Sequence, residues 1–451
     1  MTVACKPITN YPAGSFRELI SVQFPLFLSL LSGSLMGFCD RLFLARYSLD
    51  AFEGVSYAIY ICMIFQLGCM RIATSSQILI GGAAGSQSKE LAGMYTWQMV
   101  WFSFATMLIT LPISSAFGSY FFSIEEVHTH GRAYFNWMMW FNSLFPLGTS
   151  LASFFIGTGR TRIITYATLA AHSINICLNY SLIFGVEGIV PPLGSSGAAI
   201  ATGVAQVIYC ILLFSQFIRK KYIDFGCRYI RLKLSSLFEV LRLGIPTAAA
   251  RMHNLFIWSL MMKILAEQGE TYLLALSYGS MLVFLFSPLN ESAVQSLITL
   301  FSYYFGANRP AVCHKILLKA HISALVNLAL VTLVLTLFGR ELVENFSIKG
   351  INETALAMLM GNTTGVCAFF AAESALFIAF SLAMAQRRIL HVTLVGMGCT
   401  LIFGYGGFYL AFAVLKIHAK YTWWVIATHL VLSVPFYYVR RKARQSLSAH
   451  P

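Results

Sequence analysis

Apolar residues recur along this chain in stretches of about 20, the length that crosses ~30 Å of hydrocarbon at ~1.5 Å per helical residue. The first, Leu19 to Cys39, contains no charged residue. Charges and Gly/Pro clusters mark off twelve such segments. They fall near 19–45, 52–82, 92–122, 134–157, 163–185, 196–218, 238–266, 272–304, 314–339, 354–385, 389–415 and 422–439. The strands of a membrane barrel alternate polar and apolar over ~10 residues, and that alternation is absent. The pattern predicts an all-α polytopic membrane protein with twelve transmembrane helices.

The two halves repeat. Pro25 pairs with Pro246 at an offset of 221 residues (246 − 25), and the same ungapped offset pairs Glu18 with Glu239, Ser75 with Ser296 and Gly85 with Gly306. The paired Pro and Gly carry the most weight, because both punctuate backbone. An even number of spans per half gives parallel repeats, two six-helix pseudo-repeated lobes around a central cleft where substrate is expected. The expected division is a first lobe at 1–218, a basic cytoplasmic linker at 219–236, a second lobe at 237–440 and a basic cytoplasmic tail at 441–451.

Composition sharpens this picture. Of 451 residues, 58% are hydrophobic and 11% charged, against roughly a quarter charged in a soluble protein. The net charge of +14 resides mostly in short loops, which argues for membrane orientation and against nucleic acid. With the N-terminus inside, 21 of the 31 lysines and arginines fall on the cytoplasmic side, six outside and four within spans. This bias predicts both termini in the cytoplasm and a multi-pass protein of the bacterial inner membrane. The ten cysteines form no CxxC pair and read as packing residues. The 17-residue segment before the first span, followed by so long an apolar run, reads as no removable signal peptide.

Charges inside the membrane mark function. Asp40 lies 22 residues, or ~33 Å, beyond Glu18, in the outer half of the bilayer. Asn175 and Asn179, at i and i+4, share one helix face at similar depth. Thr202 and, one turn earlier, Ala198 enter from the outer side on the sixth segment. Asp40, Asn175, Asn179 and Thr202 therefore offer hard oxygen at one level, suited to a proton or a weakly held Na⁺; a hydrogen-bonded cluster joining helices is the alternative. Glu291 and Glu373 lie near mid-membrane, either facing the cleft to attract cationic substrate or pairing with Arg71, Arg251 or Lys263. Arg41, one residue from Asp40, cannot face it on a helix. HExxH, GxSxG and phosphate-binding GxxxxGK[ST] patterns are all missing, so no enzyme is expected, no cofactor, and an ion gradient as the energy source.

Several segments together resemble the multidrug and toxic compound extrusion (MATE) transporters, over about residues 16–440. They are FPLFLSLLSGSLMGFCDRLFLARYS at 24–48, ATSSQILIGGAAGSQ at 73–87, FFIGTGRTR at 154–162, NICLNYSLIFG at 175–185, GSSGAAIATGVAQ at 194–206 and LRLGIP at 241–246. The resemblance implies a V-shaped cleft between two lobes. It also implies a secondary active antiporter exporting organic, often cationic, compounds in exchange for H⁺ or Na⁺. The family's first-helix Asp matches Asp40 and its bending Pro matches Pro25. Its fifth-helix polar pair matches Asn175 and Asn179, and its sixth-helix pair matches Ala198 and Thr202. Asn179 stands where some members carry Asp, and Arg41 where members usually carry a small polar residue. The seventh-helix acid of one bacterial branch aligns near Asn254, and the tenth-helix acid with Glu373. The expected partners are small organic molecules and the lipid bilayer, with the chain acting as a monomer. The competing readings are a flippase for lipid-linked oligosaccharide or peptidoglycan precursors, which needs several basic residues in the cleft, and a membrane-embedded enzyme.

Overall fold

The computed structural model describes residues 7–86, 88–122, 125–346 and 353–438; the expected tail at 441–451 lies outside them. The first half comprises α1 (Phe16–Tyr47), α2 (Leu49–Gly85), α3 (Glu90–Phe121), α4 (Glu125–Trp140), α5 (Leu144–Gly157), α6 (Thr161–Phe184) and α7 (Gly194–Phe217). The second comprises α8 (Leu234–Gln268), α9 (Glu270–Gly306), α10 (Pro310–Phe346), α11 (Glu353–Ala385), α12 (Ile389–Cys399), α13 (Gly407–Tyr409) and α14 (Thr422–Tyr438). Two π-helical stretches, Thr400–Gly406 and Leu410–Val414, carry the chain through α12 and α13 as one span. Among the described residues, nine spans are long and apolar enough to cross a membrane on their own. The composite α4–α5, the more polar α8 and the shorter α14 bring the total to twelve. The fourth span is therefore not one helix over 134–157. It starts earlier and breaks at Phe141–Ser143, where the chain turns.

Three hydrophobic cores define how the lobes meet. One core joins both lobes, packing Leu19, Val22, Ile78 and Phe154 of the first half with Leu300, Phe301, Tyr304 and Ile378 of the second. The second core (Ile257, Leu282, Phe412, Trp423) belongs to the second lobe alone. The third (Leu44, Val55, Phe135, Ala198) belongs to the first. The shared core lies where α1, α3, α6, α8 and α10 begin and α2 and α9 end, and this will be called the basic end. The lobes are fused there and separate towards the opposite end.

Glycines permit the closest contact. A Cβ on Gly85 would collide with the carbonyl oxygen of Tyr303, and one on Gly306 with that of Gly82. The two repeat-related glycines thus let α2 and α9 cross backbone to backbone. Around this crossing, Gln77 Nε2 donates to the Gln295 carbonyl and to Thr299 Oγ1, both at 2.8 Å. Ser323 donates to Gln23 at 3.0 Å. The repeat-related glutamates each accept a phenol from the opposite lobe: Tyr304 donates to Glu18 and Tyr95 to Glu239, both at 2.7 Å.

The segment between the lobes packs on the first. Trp97 Nε1 donates to the Cys227 carbonyl at 2.9 Å. Gln98 donates to the Arg231 carbonyl and accepts from Lys233 N, each at 2.9 Å. The Arg160 guanidinium sits 4.5 Å from the Tyr222 ring centroid and 4.8 Å from that of Phe225, a stacking geometry that suits a planar cation. α8 begins at Leu234, within the span expected for the linker.

Candidate functional site

Ser15 caps α1 by accepting from Glu18 N, and the helix then runs unbroken past Pro25 to Tyr47. Pro25 has no N–H, so the carbonyl one turn earlier, on Ser21, receives no helical bond from it. The Pro25 carbonyl itself accepts from Thr165 Oγ1 at 2.7 Å and Ser29 Oγ at 3.0 Å, which pins α1 to α6 at this level. Fifteen residues on, Asp40 reaches the same neighbour. α6 and α7 approach closely because Gly197 faces the Leu182 carbonyl, 2.5 Å from where a Cβ would sit.

This packing lines up the polar side chains in series. Asn179 Nδ2 donates to Asp40 Oδ1 at 2.5 Å and to Asn175 Oδ1 at 2.9 Å. Asn175 Nδ2 donates to Thr202 Oγ1 at 3.5 Å, and Thr202 donates to the Ala198 carbonyl at 3.0 Å. Both asparagines are fully buried. Asn179 Oδ1 is buried with no hydrogen-bond partner, an exception among native buried acceptors. Arg41 is exposed and makes no hydrogen bond to the series, yet its charge lies close enough to act on Asp40.

Thr202 ends the series at a cavity of about 430 Å³. Its walls come from α1 (Ser29, Gly33, Met36), α2 (Met70, Arg71, Thr74), α6 (Thr168, His172) and α7 (Thr202, Gln206, Tyr209), with Glu291 and Gln295 of α9 closing it from the second lobe. His172 Nδ1 pairs with Ser32 Oγ at 2.8 Å. Arg71 and Glu291 face each other at 4.0 Å, and Gln295 donates to Glu291 at 3.3 Å. Arg71 lies 14 residues, about 21 Å, before the end of α2, at the top of the interlobe contacts. Glu291 thus lines the cavity and faces a base at the same time.

Glu373 behaves differently. Its Oε2 accepts from Asn290 Nδ2 at 2.6 Å, and Ser374 donates to Asn290 Oδ1 at 3.3 Å. Its partner is thus a buried amide and none of the three bases expected. Asn254 of α8 is exposed and stands apart from both groups. Asn290 was not singled out in the sequence; its position beside Glu291 on a span was the available signal. Among the described residues no cluster of three His, Cys, Asp or Glu side chains forms a metal site. The first-lobe series supplies one carboxylate with neutral amide and hydroxyl oxygens.

Comparison with known proteins follows the same outline. The MatE family model matches residues 25–181. A probable multidrug resistance protein NorM of Thermotoga maritima is 25% identical over 236 residues, 51% of each chain; the match thus spans about half the length of that relative. A MOP superfamily transporter from Pyrococcus furiosus, described as having a binding pocket of reverse polarity, superposes with a TM-score of 0.84 over 94% of both chains at 15% identity. A multidrug resistance MATE family transporter in an outward-facing conformation gives 0.83 over 93% of both, also at 15% identity. In sequence the chain is similar to MATE-type transporters over part of its length, and it shares the fold of the solved ones, twelve membrane helices in two lobes.

Proposed function

We propose that this chain is a cation-coupled exporter of organic, mainly cationic, compounds, exchanging them for H⁺ or Na⁺. The observation that carries the reading is the series from Asp40 through Asn179 and Asn175 to Thr202, which ends at the cavity and leaves one buried amide oxygen unpartnered. With Asp40 ionised, the Asn179 amide donates to it. Once Asp40 takes up a proton or Na⁺, that donation is no longer wanted, and the Asn179 carbonyl oxygen becomes useful, accepting the new O–H or joining the ion. Turning this amide breaks its bond to Asn175 and loosens the link to Thr202. A ligand moves a conformational equilibrium only through differential affinity. Asp40 supplies that difference, and α1 can transmit it because Pro25 leaves the helix bendable between the two.

The lobes, 1–218 and 237–440, are taken as the moving bodies. With the basic end in the cytoplasm of a bacterial cell, the fused core closes the inner side and the separated cores face outward, so this is the substrate-releasing form. The flippase alternative fits less well, since the cavity wall carries a single cation, Arg71, already facing Glu291. Arg251 of α8 lies close enough to Arg71 and Glu291 to interact with both, and Lys263 is exposed farther along α8.

The test is export of a fluorescent organic cation from proteoliposomes under imposed ΔpH or ΔNa⁺. Transport driven by one gradient, and absent without either, is the expected result. Transport that ignores both gradients overturns the reading. Orientation is checked separately by single cysteines placed in the 219–233 segment on a background lacking reactive cysteines. They should resist impermeant reagents in intact cells, and external labelling reverses the topology.

A further inference from the structure

Outside the cavity, a groove of about 670 Å³ runs between α1 and α6 at the basic end. Arg17 and Arg162 stand at its mouth, and Phe24, Leu28, Tyr166 and Leu169 form its length. Both arginines are exposed, and neither has an acidic partner among the described residues. Each is the second residue of its helix, so the positive ends of two helix dipoles converge where the two guanidinium groups lie. Phe24 and Tyr166 are 55% and 72% exposed. On a membrane-spanning bundle such a surface is in contact with acyl chains.

The geometry points to a binding site for one anionic glycerophospholipid of the leaflet at the basic end. Charge and length both select this occupant. A phosphodiester between two guanidinium forks is matched in charge and hydrogen-bond geometry, as in other basic pockets between membrane helices. From Phe16 to Leu28 the wall runs about 18 Å along α1, comparable with the ~15 Å half-thickness of the hydrocarbon core. One acyl chain of one leaflet therefore lies along it, with its headgroup at the arginines. The second lobe lacks this arrangement, since the repeat places Phe238 where the first lobe has Arg17. The site also involves the hinge: Pro25 and Thr165, which bond each other across α1 and α6, are both in its wall. A bound lipid therefore lies against the helix pair that holds Asp40, Asn175 and Asn179.

The test is native mass spectrometry of the full purified chain titrated with dioleoyl phosphatidylglycerol, dioleoyl phosphatidylcholine or inorganic phosphate. The wild type is expected to retain one phosphatidylglycerol more tightly than phosphatidylcholine. R17A/R162A should weaken that binding by at least about tenfold, at roughly 1 kcal/mol per arginine, and leave phosphatidylcholine unchanged. Leu28→Trp keeps both arginines and fills the groove; it too should lose the lipid. Equal affinity for the two lipids, or unaltered phosphatidylglycerol binding in both variants, overturns the assignment. Displacement of the lipid by millimolar inorganic phosphate also overturns it, since the arginines would then be an anion site without the acyl groove.

Discussion

The two lobes repeat each other in sequence and topology, yet they handle buried charge differently. In the first lobe, Asp40 belongs to a series of four side chains that ends at a cavity. In the second, Glu373 accepts from one amide, Asn290, which in turn accepts from Ser374, beside a void of only about 20 Å³. The acid of α9 with access to open space, Glu291, faces the first lobe's cavity. Under the proposed exchange, the ion acts on the first lobe and the second lobe supports it. The contrast also teaches that repeated helices need not repeat their chemistry, because a site depends on the few neighbours that each helix meets.

The sharpest way to break this comparison is Asp40→Asn. Gradient-driven export in proteoliposomes should fall to the level of protein-free vesicles, while substrate binding measured on the same preparation persists. Full export by this variant would remove the distinction between the lobes. Asn179→Ala keeps the carboxylate and deletes the amide that joins it to Asn175. Loss of a charge-assisted bond of ~1.5 kcal/mol or more corresponds to at least about a tenfold lower transport rate. Glu373→Gln tests the other lobe. If its charge attracts cations, apparent affinity for cationic substrates should drop about fivefold, ~1 kcal/mol, with neutral substrates unchanged. Equal losses for both classes would make Glu373 a packing group.

The smallest effects concern the paired phenols. Glu18 is fully buried, whereas the Glu239 side chain is 40% exposed and also meets Arg387 at 3.4 Å. Tyr304→Phe therefore strips the buried Glu18 carboxylate of its phenol and leaves it backbone donors such as Gly14 N–H, at about 1.5–3 kcal/mol. Tyr95→Phe should lose less than about 1 kcal/mol, since water and Arg387 remain for Glu239. Thermal unfolding of both variants in one detergent checks the order. A reversed order would mean that the two halves of the basic end are not closed in the way their burial implies.

Much of this was legible from residue spacing. Segment lengths gave the spans, because a bilayer imposes one length on every crossing helix. Helical rise placed Asp40, Asn175, Asn179 and Thr202 at one depth, and an i, i+4 count placed the two amides on one face. Pairings between distant helices were not legible. Nothing in the pattern around Tyr304 or Tyr95 distinguishes a phenol aimed at a glutamate from one aimed at lipid. Glu373 is expected either to face the cleft or to sit opposite a base, and it meets an asparagine, since polarity along a helix says nothing about its neighbour. The break at Phe141–Ser143 was hidden because the residues around it are as apolar as the helices they separate. Arg17 and Arg162 were visible as loop charges, but their convergence on one groove required α1 and α6 side by side.

The crossed glutamate–tyrosine bonds have a consequence for biosynthesis. Glu18 leaves the ribosome 286 residues ahead of Tyr304. Until α9 is inserted, the first half therefore carries a carboxylate that has not received its phenol. Held within its own half by backbone donors such as Gly14 N–H, a carboxylate in that condition favours contact with water over burial. Glu239 meets the reverse situation, emerging 144 residues after Tyr95, with its donor already threaded through the membrane. Maturation is thus timed by the later half: its arrival both fills its own bond and completes the one left waiting at the start of the chain.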